Sequence, residues 1–173
     1  MTHRWKPNVT VAAVIEREGR FLLVEEQTSQ GLLLNNPAGH LDPGETLVQA
    51  CVRETREETA FAFEPQALVG VYLSAPAHRV RADEAVQDKG SITYLRFVFR
   101  GLLGAHDPQQ RLDHGIVRTL WMRPHELRAS AWRHRSPAVL RSVEDYLAGA
   151  SHPLQLLHAD FGPAAGGVLR GAA

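Results

Sequence analysis

The stretch Gly39–Phe61 constrains this chain more than any other, because it passes from a segment that cannot be regular structure into one with helical periodicity. Pro37, Gly39, Pro43 and Gly44 break the first part, and no Gly or Pro follows Glu45 within the stretch. The expected helix starts near Glu45 or Thr46. At about 100° per residue, Val48, Cys51, Val52, Thr55 and Thr59 share one side and would pack inward. Glu54, Glu57 and Glu58 share another, with Ala50 one turn back leaving room beside them. Carboxylates at that spacing repel, and a divalent cation offsets the repulsion; hard oxygen ligands suit Mg²⁺ or Mn²⁺. The competing reading is an exposed acidic face neutralised by Arg53 and Arg56.

The wider spacing favours the metal. Gly39, five residues, Glu45, seven residues, then Arg53-Glu54-x-x-Glu57-Glu58 resembles the Nudix box of hydrolases that cleave nucleoside diphosphates linked to another moiety. One position departs from it: the general box has Gly after the paired glutamates, and this chain has Thr59. Gly there would suit a left-handed helix end that a β-branched residue tolerates poorly, so the helix exit is expected to differ.

Composition excludes several other classes. At 173 residues, with 44% hydrophobic and 22% charged residues and a formal net charge of zero, the chain suits one domain and offers no general attraction to nucleic acid. It has no run of about 18 apolar residues to span a membrane, and its start, Met-Thr-His-Arg-Trp-Lys-Pro, has no apolar signal core, so a cytoplasmic protein is expected. The single Cys51 cannot form an internal disulfide and falls on the apolar side of the helix, where core packing is its expected role. A single domain is expected over residues 1–160 and a flexible Gly/Ala-rich tail over 161–173. Monomer and homodimer fit the sequence equally.

Val9–Glu16 and Phe21–Glu26 read as the arms of a hairpin turning at Gly19. Trp5, just before it, suits either stacking on a substrate base or covering an edge of the core. After the box, Ala67–Ser74 and Ser91–Leu103 read as strands, the second with Thr93, Leu95, Phe97 and Phe99 on one face and Tyr94 and Arg96 on the other. Arg96 is a candidate for binding substrate phosphate, or else a solvated arginine. The polar segment Ala75–Gly90 is expected to form a mobile rim loop. Ile116–Met122 reads as a further strand, and Pro124–Ala129 and Pro137–Leu147 as helices opened by proline.

The resemblance implies more than the box. Lys6-Pro7-x-Val9-Thr10-Val11-Ala12, Pro37-Ala38-Gly39-His40-Leu41, Leu95-Arg96-Phe97, Arg135-Ser136-Pro137 and Asp160-Phe161 are similar to the NudJ type of Nudix phosphatase. That likeness implies an α+β fold with a mixed sheet between helices. It also implies Mg²⁺-dependent action on nucleoside tri- and diphosphates and thiamine-type diphosphates. By the same resemblance Glu54, Glu57 and Glu58, with the Ala38 carbonyl, would hold metal. One more ligand would come from the loop before the strand at Ile116, where Asp113 is the first choice and His114 the second. Arg53 is expected to pair with Glu45 or Glu57 and brace loop against helix. Arg96, Asn36 and His114 are the expected substrate contacts, and the general base lies among Glu54, Glu57 and the loop around Asp113. Two other functions share the box: a Nudix hydrolase of dinucleoside polyphosphates, sugar nucleotides or RNA 5′ ends, and a non-catalytic nucleotide sensor.

Overall fold

The computed structural model describes residues 5–74 and 92–161. The rim loop expected over 75–90 lies outside the described residues, as does the tail expected over 161–173 apart from Phe161 itself. The elements in chain order are β1 (Asn8–Val14), β2 (Glu16–Arg17), β3 (Arg20–Thr28), β4 (Gly31–Asn35), β5 (Ala38–His40), α1 (Leu47–Thr59), β6 (Phe61–Ser74), β7 (Tyr94–His106), β8 (Ile116–Met122), α2 (Pro124–Ala129) and α3 (Ala138–Leu147). Short 3₁₀ turns stand at Ala131–Arg133 and Leu154–Leu156. No described helix is long and apolar enough to cross a membrane.

Two sheets form. The first has the order β5-β1-β7-β6 and is mixed, because β1 runs parallel to β7 but antiparallel to β5, while β6 is antiparallel to β7. In the second, β3 pairs antiparallel with β2 and β4 along one edge and with β8 along the other. Along β1, Val11 and Ala13 join one apolar cluster, with Ala50 and Cys51 of α1. Ala12 and Val14 join another, with Val139 and Val143 of α3. Side chains alternate across a strand, so the first sheet lies between α1 and α3. Cys51 is buried in the α1 cluster, and burial pushes its thiol well above the usual range, in keeping with core packing.

The hairpin expected from Val9 to Glu26 is corrected in part. The turn is present, with Glu18 at φ 54° and Gly19 at φ 73°, the primed geometry that suits a two-residue hairpin loop. Its first arm is only β2, however, and the apolar run before it leaves at Ile15 to become the centre of the other sheet. Residues 11–14 are buried on both faces, as a strand beside a parallel neighbour must be, whereas a hairpin arm would expose one face. Likewise β6 starts at Phe61 rather than Ala67. Register shifts at Phe61/Phe63, Pro65/Ala67 and Leu68/Gly70 erase its alternation, and Pro65 is tolerated because β6 is the sheet edge.

Glu25 ties the second sheet to the turn before α3. It is 2% exposed, accepts the Arg118 Nε–H at 2.7 Å and pairs with Arg133. The Arg118 hydrogen bond holds its carboxyl below the ordinary range against the opposing effect of burial, with Arg133 assisting. A depressed carboxyl stabilises the fold above its unfolded pKa, about 4.3, and loses that contribution as pH falls through the lower folded value. Glu25→Gln should therefore lower stability by about 2 kcal/mol at pH 7, with the difference from the unsubstituted chain shrinking as pH falls through the lower folded value. Urea unfolding midpoints across an acid pH series check this.

Candidate active site

The box loop and helix are joined by capping and by one arginine. Thr46 is the N-cap of α1: its hydroxyl accepts the Gln49 N–H while the Gln49 side chain accepts the Thr46 N–H, a reciprocal box that starts the helix where the last breaker ends. At the other end Thr59 remains helical and Ala60 takes the left-handed conformation, φ 59°, with its N–H on the Arg56 carbonyl at 2.8 Å. The left-handed exit that Gly would have favoured thus falls one residue later, on an alanine, at a cost of about 1 kcal/mol.

Arg53 pairs with both of its expected partners. Its Nε and Nη2 meet the two Glu45 oxygens at 3.0 and 2.6 Å, its Nη1 lies 2.8 Å from Glu54 and 3.1 Å from Glu57, and Nη2 also donates to the His40 carbonyl at 2.9 Å. Glu45 accepts the Asp42 N–H as well. One guanidinium therefore spans loop and helix, and the Arg53 hydrogen bond holds the Glu45 carboxyl below its ordinary pKa.

Glu54 and Glu58 are 9% and 7% exposed, which removes the reading of a solvated acidic face for these two, whereas the Glu57 side chain is 45% exposed. Glu58 reaches back to accept the Ala38 N–H at 2.8 Å, so helix and β5 are clasped at the residue before Gly39. Gly39 is glycine for space. A Cβ there would stand 2.0 Å from the Glu54 carboxyl carbon, and its φ is not in the left-handed region. Burial pushes the Glu58 carboxyl up to about 9, the Ala38 N–H opposing and Glu26, Glu54 and Asp113 adding to the rise. Burial also raises Glu54, against Arg53, with Glu57 and Asp113 contributing.

Asp113 is brought to this cluster. Its N–H donates to the Glu57 carbonyl at 2.9 Å, and its side chain also serves its own turn by accepting the His114 N–H at 2.7 Å. His114 is exposed in that turn. Asn36 is buried against α3, its Oδ1 facing the Ser142 hydroxyl at 3.4 Å. Arg96 is partly buried and donates to Asn35 Oδ1 at 3.2 Å, in the field of Glu26 and Glu58. Trp5 is more than half exposed. Three residues near the site were given no site role from sequence: Glu26, Asn35 and Arg135, the last quoted only within the Arg135-Ser136-Pro137 motif. Their signal was weak, a glutamate at the end of an apolar strand and an Asn and an Arg far apart in the chain.

The donor set suits a hard divalent cation: carboxylates desolvated beside one another, with a raised pKa where no cation offsets them, and a glycine cradle that keeps one in place. Among the described residues no three His, Cys, Asp or Glu side chains already converge on one point, since Arg53 spans Glu54 and Glu57 and Glu58 is turned to Ala38. Two concavities among the described residues are lined from β6, α3 and the 131–137 segment, and neither includes a box glutamate.

A box helix clasped to its loop by Arg53 and the Glu58–Ala38 hydrogen bond, on a mixed sheet between helices, defines the class, and the family model agrees: the NUDIX domain matches residues 5–143. The chain belongs to the Nudix hydrolase family, enzymes that act on phosphoanhydrides with a divalent metal. It is 37% identical over 153 residues to Phosphatase NudJ of Escherichia coli K12, covering 88% of this chain and 92% of that protein, and equally so to Phosphatase NudJ of Shigella flexneri. A NUDIX hydrolase structure from Nitrosomonas europaea superimposes with a TM-score of 0.79 at 45% identity, over 91% of this chain and 100% of the other.

Proposed function

We propose that this chain is a Mg²⁺-dependent hydrolase that releases phosphate from nucleoside tri- and diphosphates and from thiamine-type diphosphates. The observation that carries the reading is the desolvated Glu54/Glu58 pair, clasped by Arg53 and Ala38 beside the half-exposed Glu57 and the loop residue Asp113. The likeness to Phosphatase NudJ over nearly the whole chain supports the phosphatase type.

A phosphoanhydride repels an incoming nucleophile, so hydrolysis needs its charge neutralised and a water aligned. Glu54, Glu57 and Glu58, the Ala38 carbonyl and Asp113 would hold the cation, Mg²⁺ by preference with Mn²⁺ as its nearest substitute. Bound there, the ion supplies charge neutralisation and a more acidic water. Arg53 keeps Glu45 and the box loop in register with the helix, and Arg96 faces the substrate phosphates. The Glu58 hydrogen bond to Ala38 fixes that peptide against the metal-holding face.

A phosphate-release screen with Mg²⁺ over nucleoside di- and triphosphates, thiamine diphosphate, dinucleoside polyphosphates and sugar nucleotides tests this. Orthophosphate from the singly substituted di- and triphosphates is the expected product. Cleavage confined to doubly substituted compounds would place the enzyme in another Nudix class, and release from none would favour a sensor.

A further inference from the structure

The face of the first sheet towards α3 carries an incomplete set of polar groups. By strand alternation Thr10 and Arg96 share this face with Ala12 and Val98, and the ladder aligns Thr10 with both Arg96 and His40. Thr10 is 5% exposed, and its hydroxyl has no hydrogen-bond partner among the described residues. Arg96 makes one hydrogen bond, to Asn35, and has no carboxylate within ion-pairing distance among the described residues. Asn35 is itself oriented by Glu26, which accepts its Nδ2–H at 2.7 Å.

The other Glu26 oxygen lies 3.8 Å from Arg135 Nε, too far for a hydrogen bond. The Arg135 backbone is fixed, its N–H donating to the Leu34 carbonyl at 2.8 Å beside the His134–Leu34 bridge, while its side chain is half exposed. Two guanidiniums thus stand near a carboxylate already occupied by Asn35, Arg135 at 3.8 Å from it and Arg96 bonded to Asn35 instead, at the margin of a carboxylate-rich site. Burial lowers the Arg96 pKa, Glu26 and Glu58 oppose this, and Arg135 adds to it, which marks the two cations as mutually repelling neighbours. A phosphoryl group between them would satisfy the free N–H donors of both forks and the Thr10 hydroxyl.

We propose that Arg96, Arg135 and Thr10 form a subsite for the free terminal phosphoryl group of the substrate, oriented through Asn35 and Glu26, with Arg135 as its specificity-determining member. The proposal rests on the hydrolase reading and sharpens it. A terminal phosphoryl group offers three unesterified oxygens and the higher charge, whereas an esterified one offers less of both. The subsite therefore selects singly substituted diphosphates over doubly substituted ones.

The test uses the full chain with Mg²⁺ and two non-hydrolysable probes, a methylene-bridged nucleoside diphosphate and the same compound esterified on its terminal phosphate. Calorimetry should find the free-terminus probe bound more tightly. Arg135→Gln should weaken its binding about tenfold to a hundredfold and the ester much less, with Arg135→Lys restoring part. Thr10→Val, which removes an unpaired buried hydroxyl, should narrow the same selectivity without lowering the melting temperature, and it carries the test if Arg135→Gln does not fold. Equal loss for both probes, or no preference in the unsubstituted chain, would overturn the subsite. Selective binding by a chain that hydrolyses no phosphoanhydride would support the subsite and sink the hydrolase reading. Hydrolysis without selectivity would do the reverse.

Discussion

Glu57→Gln should lose nearly all Mg²⁺-dependent phosphate release, a fall of roughly a hundredfold to a thousandfold, while the protein stays folded. The side chain is 45% exposed and its ion pair with Arg53, at 3.1 Å, is one of several that this arginine makes, so its loss should change stability by no more than about 0.5 kcal/mol. The anchor of the Asp113 loop is untouched, because that loop bonds the Glu57 carbonyl rather than its carboxylate. Amide for carboxylate removes a charge and a hard ligand without changing shape. Release rates at saturating Mg²⁺ beside a melting curve check the result, and unchanged turnover would sink the assignment of Glu57 to the metal.

Gly39→Ala should separate activity from stability in a different way. The new Cβ would stand 2.0 to 2.2 Å from the three carboxylate atoms of Glu54, so one of the two must move. Glu54 is the end of a flexible side chain, and Gly39 is not at a positive φ, so the fold can absorb the methyl at a cost of about 1–2 kcal/mol. The displaced carboxylate then loses its 2.8 Å contact with Arg53 and its place beside Glu58. A shift of about 1 Å in such a group is enough for a loss near a hundredfold in kcat. Activity close to that of the unsubstituted chain, in a folded Gly39→Ala protein, would show that the glycine serves the loop alone.

These two residues mark how much of the site could be read from the chain alone. Helix α1 was legible because its signals are local: breakers up to Gly44, none after Glu45, and three glutamates at helical spacing. The pairing of Arg53 with Glu45 or Glu57 followed from the same short range, and both contacts are made. That Gly39 is there to admit Glu54 was not legible, since nothing in a loop sequence says which side chain will cross it. Nor was the path of β1, whose apolar run reads as a hairpin arm; only its parallel pairing with β7, across about half the chain, makes it a strand buried on both faces. The link among Glu26, Asn35, Arg96 and Arg135 joins four separate segments, and no periodicity in any one of them encodes it.

The most direct test is phosphate release from a nucleoside diphosphate by the purified chain as Mg²⁺ is titrated in, with an excess-chelator control. Release should be absent with chelator, rise and saturate with Mg²⁺, and return in full when the ion is restored to chelated protein. Release that is indifferent to Mg²⁺ and chelator would contradict a metal held by Glu54, Glu57 and Glu58.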